Sequence, residues 1–159
     1  MATEKWIAGS GQGLTWGNAF GAEINAASFN NGNAVLSSVS ITNGTALDMF
    51  ADLSFLAGST VTTVAPAFLG FYLYPLGQDG STYGDGNLPT SQAAYTPPQT
   101  YLIGNMGFRA AASTTIAGVL LRIIIPPGTF SFGLFNQAGV AIPSSGNVCK
   151  YRTYNRSIA

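Results

Sequence analysis

Two pairs of aspartates are the residues best placed to do chemistry in this sequence. Asp79 and Asp85 stand among glycines in the stretch FYLYPLGQDGSTYGDG (residues 71–86), and clustered carboxylate oxygens are the ligands that Ca²⁺ prefers. Their spacing differs from that of an EF-hand loop, and no glutamate closes the stretch. We therefore predict a structural polar turn here and no metal site.

Asp48 and Asp52 form the second pair, four residues apart in a predicted strand. Side chains at this spacing point to the same side of a strand, about 13 Å apart. That separation is too large for two carboxylates that act on one bond. We expect both to be solvated or paired with arginine.

Other catalytic residue types are sparse. The sequence contains no histidine and one cysteine, Cys149, which we expect to be a buried, inert thiol. The run Gly9-x-Gly11-x-Gly13 neither follows a predicted strand nor precedes a Lys-Ser/Thr pair, as a phosphate-binding loop does. We predict no catalytic residue, no cofactor and no enzymatic activity.

The elements that position these residues are predicted to be β-strands. In LDMFADLSFLAG, the alternating residues Leu47, Met49, Ala51, Leu53 and Phe55 predict a strand with one buried face. Similar segments, separated by turn residues, span 34–42, 67–75, 118–127, 129–137 and 147–155. The pattern predicts an all-β protein, an antiparallel β-sandwich that is jelly-roll or Greek-key like.

The chain length of 159 residues fits one domain. Residues 1–33 are rich in Gly, Asn and Ala and include Trp6 and Trp16. We predict an extended N-terminal arm that lies along its own sandwich or a neighbouring subunit. Residues 34–159 are predicted to form a single sandwich domain with a long loop at about 84–113, within which short strands around 101–103 can lie.

The C-terminal stretch NVCKYRTYNRSIA places half of the chain's six cations on one side of a strand. Cys149, Tyr151 and Thr153 are predicted to face the core. A basic face can bind acidic groups of a partner, or it can simply be solvated and discourage strand-to-strand aggregation. The side chains that we predict to contact a partner are Trp6, Trp16, Lys150, Arg152, Tyr154 and Arg156.

The composition narrows the classes of partner. Only 8% of residues are charged and the formal net charge is zero, against about a quarter charged in typical soluble domains. We expect a partner to cover much of this surface, although a neutral, Ser/Thr-rich monomer also fits. The neutral charge does not favour nucleic-acid binding. The beginning of the sequence lacks a signal-peptide pattern, and the apolar run GVLLRIIIPPG is too short to span a membrane, so we expect cytoplasmic synthesis.

Three segments together resemble a group of small structural proteins of tailed bacteriophages: ADLSFL (51–56), FLGFYLYPLGQDGSTYGDG (68–86) and LLRIIIPPGTFSFGLFNQAGVAIPSSGNVCKYRTYN (120–155). In that group an apolar strand leads into a D-G-T-x-Y-x-D-G-like tip, and a PPG-containing strand leads to an N-x-x-G…S-G-N…Y-x-x-Y-N ending. Gly84 replaces the expected proline and Ser131 an expected lysine, which leaves the strands but implies a less charged surface.

The resemblance implies a virion component, a capsid cement or decoration protein that stabilises the head shell non-covalently. Its implied partners are the major capsid protein or other virion subunits. The neutral surface, with Trp6 and Trp16 outside the strand pattern, predicts in addition that the chain forms a homo-oligomer. It would be made in the host cytoplasm and reside on the capsid surface. The alternative is a receptor- or carbohydrate-binding β-sandwich at a phage tail or fibre. It requires exposed aromatic side chains clustered in one groove, where rings such as Trp16, Tyr83 or Tyr95 would stack on sugar rings.

Overall fold

The computed structural model describes residues 4–8, 15–64, 66–84, 88–109 and 111–158. Its strands are β1 (Glu4–Ala8), β2 (Gly17–Asn18), β3 (Asn33–Asn43), β4 (Phe50–Thr63), β5 (Ala67–Pro75), β6 (Ala93–Ala94), β7 (Leu102–Phe108), β8 (Ala111–Ile124), β9 (Gly128–Gln137) and β10 (Val148–Ile158). Short 3₁₀ helices span Ala22–Asn25 and Gln99–Tyr101. Within these ranges, no helix is long and apolar enough to cross a membrane.

The strands form two antiparallel sheets. The first sheet has the order β1–β10–β4–β8, and β2 also pairs with β10. The second sheet has the order β6–β3–β9–β5–β7. The predicted all-β sandwich is therefore confirmed.

Alternating side chains of both sheets fill the core between them. The inward side chains of β4 include Ala51, Leu53 and Phe55, and those of β9 include Phe130 and Phe132. The predicted alternation is wrong at its start, because Leu47 and Met49 are exposed. These two residues belong to the turn before β4, which begins only at Phe50.

The N-terminal segment is more closely integrated than the predicted boundary at residue 33 implies. Ala19, Phe20, Ile24 and Phe29 all lie in the core, so the sandwich includes the chain from β2 onward. The backbone of β1 pairs with β10 of the same chain, which is one of the two positions predicted for the arm.

A third layer covers the outer face of the second sheet. Its outward side chains, which include Tyr72, Tyr74 and Phe135, form a second apolar cluster against Leu88. The chain between β5 and β7 supplies this cover, with the Tyr83, Tyr95 and Tyr101 side chains packed on the cluster. The predicted loop at 84–113 is thus too long, since β7 occupies residues 102–108, where a short strand was expected.

The stretch that begins with Phe71 ends in a hydrogen-bonded turn. Asp79 accepts bonds from the backbone N–H groups of Ser81 and Thr82, at 3.1 and 2.9 Å, and from both hydroxyls. These bonds, led by that from the Thr82 hydroxyl, hold the pKa of Asp79 well below its usual range. The geometry is that of the predicted polar turn. Asp85 lies outside the described residues.

Candidate docking surface

The register of the first sheet arranges its outward side chains in rows. Val148 on β10 is opposite Leu56 on β4, and Tyr154 is opposite Phe50, which in turn is opposite Ile124 on β8. We call the outward side chains of β10, β4 and β8, with Leu47 and Met49 of the adjoining turn, the open face. No described segment of the chain covers it as the third layer covers the second sheet.

The open face is apolar and exposed. Among described residues, every large apolar side chain that is exposed, except Val64, lies there. These side chains are Leu47, Met49, Leu56, Val119, Leu121, Ile124 and Val148. Ile124 is 77% exposed and Leu121 is 65% exposed. Apolar side chains grouped on one face, unlike scattered ones, are typical of an interaction surface.

A satisfied carboxylate lies in the middle of the open face. Asp52 is buried, and its Oδ2 accepts bonds from Nε and Nη2 of Arg152 at 2.9 and 2.8 Å. Its Oδ1 accepts the Tyr154 hydroxyl at 2.9 Å and the Arg122 backbone N–H at 3.0 Å. The expectation that Asp52 pairs with arginine is confirmed, and its desolvation is offset by four donors.

The bond to Arg122 fixes a β-bulge. Ala51 pairs with Ile123 and Leu53 pairs with Leu120, so two residues of β8 are opposite Asp52 alone. Arg122 has φ 59°, the left-handed conformation that a non-glycine residue seldom adopts. The bulge turns β8 at the point where Leu121 is exposed.

Aromatic rings pack against two members of this hydrogen-bond network, Arg152 and Tyr154. The Arg152 guanidinium lies 4.7 Å from the centre of the Trp16 ring, a cation–π contact. Phe50 stacks on Tyr154 with ring centres 5.8 Å apart. Burial, followed by the hydrogen bond to Asp52 and the charge of Asp52, raises the pKa of Tyr154 to about 12.

The structure brings four of the six predicted partner-binding residues to the open face: Trp16, Lys150, Arg152 and Tyr154. Cys149 and Thr153 are buried on the other side of β10 as predicted, and burial raises the pKa of the Cys149 thiol. Tyr154, however, is buried beneath its neighbours, and Arg152 is occupied by Asp52. The backbones of Trp6 and Arg156 are partners in the β1–β10 pair, and their side chains lie outside the described part.

The sequence interpretation missed the exposed apolar side chains that β8 contributes to the open face. The run GVLLRIII is apolar at successive positions, a pattern typical of strands that are covered on both faces. In the structure, Ile116, Leu120 and Ile123 point into the sandwich, whereas Val119 and Ile124 are exposed. The run of apolar residues in β8 was therefore the signal in the sequence that a second apolar face of this strand has to be buried.

One end of the open face contains an apolar recess of about 230 Å³. Its apolar lining consists of Leu47, Met49, Phe50, Ile124, Ile125 and Pro127. Asp48 beside it is buried, and its Oδ1 accepts a bond from the Asn155 amide at 3.0 Å. The expectation that Asp48 is solvated or paired with arginine was therefore wrong, because Asn155 satisfies it. Leu47 has φ 48°, so the turn that forms this recess is strained.

A second recess, of about 430 Å³, lies on the side of the second sheet. Six of its eight lining residues carry a hydroxyl group, among them Ser38, Ser81, Thr82, Tyr83 and Thr90. The Tyr83 hydroxyl is 2.8 Å from that of Ser40. We call this second recess the hydroxyl recess.

Of the aromatic residues named for the carbohydrate-binding interpretation, Trp16 does not share a groove with Tyr83 and Tyr95. Tyr83 and Tyr95 pack on the cluster outside the second sheet. Trp16 instead lies against Arg152 of the first sheet. Because these rings belong to opposite outer faces of the sandwich, the three aromatic residues cannot stack on one sugar chain.

No protein-family model matches the chain, and no curated protein matches it. Among solved structures, the chain is similar to the CBM36-1 domain of a multidomain xylanase from the hindgut metagenome of Trinervitermes trinervoides. The two are 11% identical, the match covers 99% of this chain and 97% of that chain, and the TM-score is 0.38.

Proposed function

We propose that this β-sandwich is a structural virion protein, a cement or decoration protein that binds the phage head shell through its open face. The observation that carries the proposal is the difference between the two outer faces of the sandwich. The chain covers its second sheet with its own tyrosines, whereas the first sheet exposes Leu121, Ile124 and their neighbours. The sequence resemblance to phage structural proteins supplies the class of partner.

The energetics favour a partner that is repeated many times. Burying one large aliphatic side chain contributes about 1.5–3 kcal/mol, and part of this offsets the cost of association. A symmetric shell presents the same site on each subunit, so moderate contacts are multiplied over the particle. The proposal assigns the chain no catalytic role, a location on the capsid surface and synthesis in the host cytoplasm. The expected homo-oligomer remains a prediction.

The experiment is quantitative mass spectrometry of purified particles of the virus that encodes the chain, with heads and tails separated. The proposal expects many copies per head, in a simple ratio to the major capsid protein. A few copies, confined to the tail tip, would contradict it and favour the receptor-binding alternative.

A second candidate, binding of a neutral carbohydrate, is favoured by the hydroxyl recess. Its volume is within the range of small-molecule sites, and its lining combines the Tyr83 ring with the hydroxyl groups of Ser38, Ser81, Thr82 and Thr90. Titration calorimetry with a panel of neutral oligosaccharides tests it, with Tyr83→Ala as the site variant and Tyr95→Ala as the matched control. Binding that Tyr83→Ala removes and Tyr95→Ala retains would support this function; no heat with any oligosaccharide would contradict it.

A further inference from the structure

Every acidic side chain that the structure describes accepts hydrogen bonds from other groups of the chain. These side chains are Glu23, Asp48, Asp52 and Asp79. Burial alone would raise the pKa of Glu23, but hydrogen bonds from the backbone N–H groups of Ser38 and Gly21 lower it overall. Asp48, Asp52 and Asp79 accept the bonds described above. The charge of Asp52 is paired with that of Arg152 on the open face, whereas Asp79 lies in the exposed turn after β5, on the side of the second sheet.

The cationic side chains, in contrast, are concentrated at the open face. Of those that the structure describes, all but Arg109 lie there. Lys150 and Arg122 are exposed, and the Arg152 side chain remains 31% exposed although it is paired with Asp52. The positive charge of Arg122 reaches Tyr154, whose pKa it lowers slightly against the other effects. Because Asp52 balances Arg152, the positive charge of the open face comes from Arg122 and Lys150.

The apolar recess adds a shape requirement to this charge. Its volume of about 230 Å³ accommodates one large aliphatic or aromatic side chain. Ile124 forms part of the recess, and Arg122 lies two residues before it on the same strand. Interfaces commonly combine such an apolar anchor with polar contacts around it.

We infer that the open face binds a protein surface on which an apolar anchor side chain is flanked by carboxylates. This inference rests on the proposed function and specifies the shell site that the chain would recognise. A second copy docked face to face would place cations against cations, so self-association through this face is disfavoured. Nucleic acid would match the charge but leave Leu121, Ile124 and Met49 without apolar contacts.

Carbodiimide cross-linking tests the inference, because this zero-length reagent joins an amine to a carboxylate in direct contact. Heads purified without the chain are mixed with it and treated with the reagent, and peptides are identified by mass spectrometry. We expect Lys150 to be joined to an Asp or Glu of a shell subunit. Lys150→Arg is the matched control, since it keeps the charge and should bind normally but cannot form the cross-link.

A charge-reversed variant gives the second measurement. Arg122→Glu with Lys150→Glu should weaken the apparent Kd for heads about tenfold in about 0.05 M salt, and the difference should shrink in about 0.5 M salt. Heads that bind without a Lys150 cross-link and without sensitivity to charge reversal would overturn the inference and leave the proposed function standing. Cross-links to a second copy, or binding that nuclease abolishes, would also overturn it. Heads that bind no protein would overturn both.

Discussion

At the scale of single residues, Asp52 determines how a charge is accommodated within an apolar face. Its oxygens receive two bonds from Arg152, one from Tyr154 and one from the backbone of Arg122. A buried ion pair is by itself weak evidence for stability. Removing one of its partners is nevertheless destabilising, because the charge of the other partner is left without an opposite charge. The carboxylate also holds the bulge, so its loss affects both packing and backbone.

We predict that Asp52→Asn lowers the free energy of unfolding by about 2–4 kcal/mol. The lower end of this range applies because the Arg152 side chain is partly exposed, and solvent screens its charge. Denaturant unfolding measures the change. Asp79→Asn, in the exposed turn, is the control and should cause a smaller loss. Equal losses in the two variants would contradict the role given to Asp52.

Tyr154 predicts a stability change at alkaline pH. Its phenol has a pKa of about 12 in the folded state and about 10 when unfolded. Because the unfolded chain releases its proton first, this contribution is complete below pH about 10 and is lost as pH rises towards 12. Thermal melting across this range should fall more steeply for the wild type than for Tyr154→Phe. Parallel pH profiles of the two proteins would show that Tyr154 is not coupled to folding in this way.

At the scale of elements, alternation predicted the strands well where one face is buried and the turns are marked. The predicted segments 67–75 and 129–137 nearly coincide with β5 and β9. Alternation failed to predict that Leu47 and Met49 are exposed. A period of two in the sequence shows how apolar residues are spaced, but it does not show whether another part of the protein covers them. The bulge opposite Asp52 could not be predicted from the sequence either, because it depends on the pairing of β4 with β8 between residues that are 70 positions apart.

Gly58 tests the packing of β4 against the turn that precedes β10. A Cβ atom there would overlap the carbonyl oxygen of Ser145 and the backbone of Gly146. We predict that Gly58→Ala destabilises the protein by about 1–3 kcal/mol, as overpacking does. Gly107→Ala in β7, where no atom lies within 4 Å of the added Cβ, should be close to neutral. Comparable melting temperatures for the two variants would contradict the close contact between Gly58 and the backbone of Ser145 and Gly146.

At the scale of the whole molecule, the two sheets differ in what covers them. The sequence analysis placed Lys150, Arg152 and Tyr154 on one side of the last strand, because they follow local alternation. It did not identify the open face, because Val119 and Ile124 have the same residue types as core side chains. Only the strand order shows that nothing in the described chain lies over them.

The most direct test of the account is the binding of face variants to heads purified without the chain. Leu121→Asp with Ile124→Asp should weaken the apparent Kd about 100-fold or more, since two apolar contacts are lost. Val64→Asp changes a side chain that is 53% exposed elsewhere and should bind like the wild type. If the double variant binds as tightly as the wild type, or if Val64→Asp loses as much, the open face is not the docking surface.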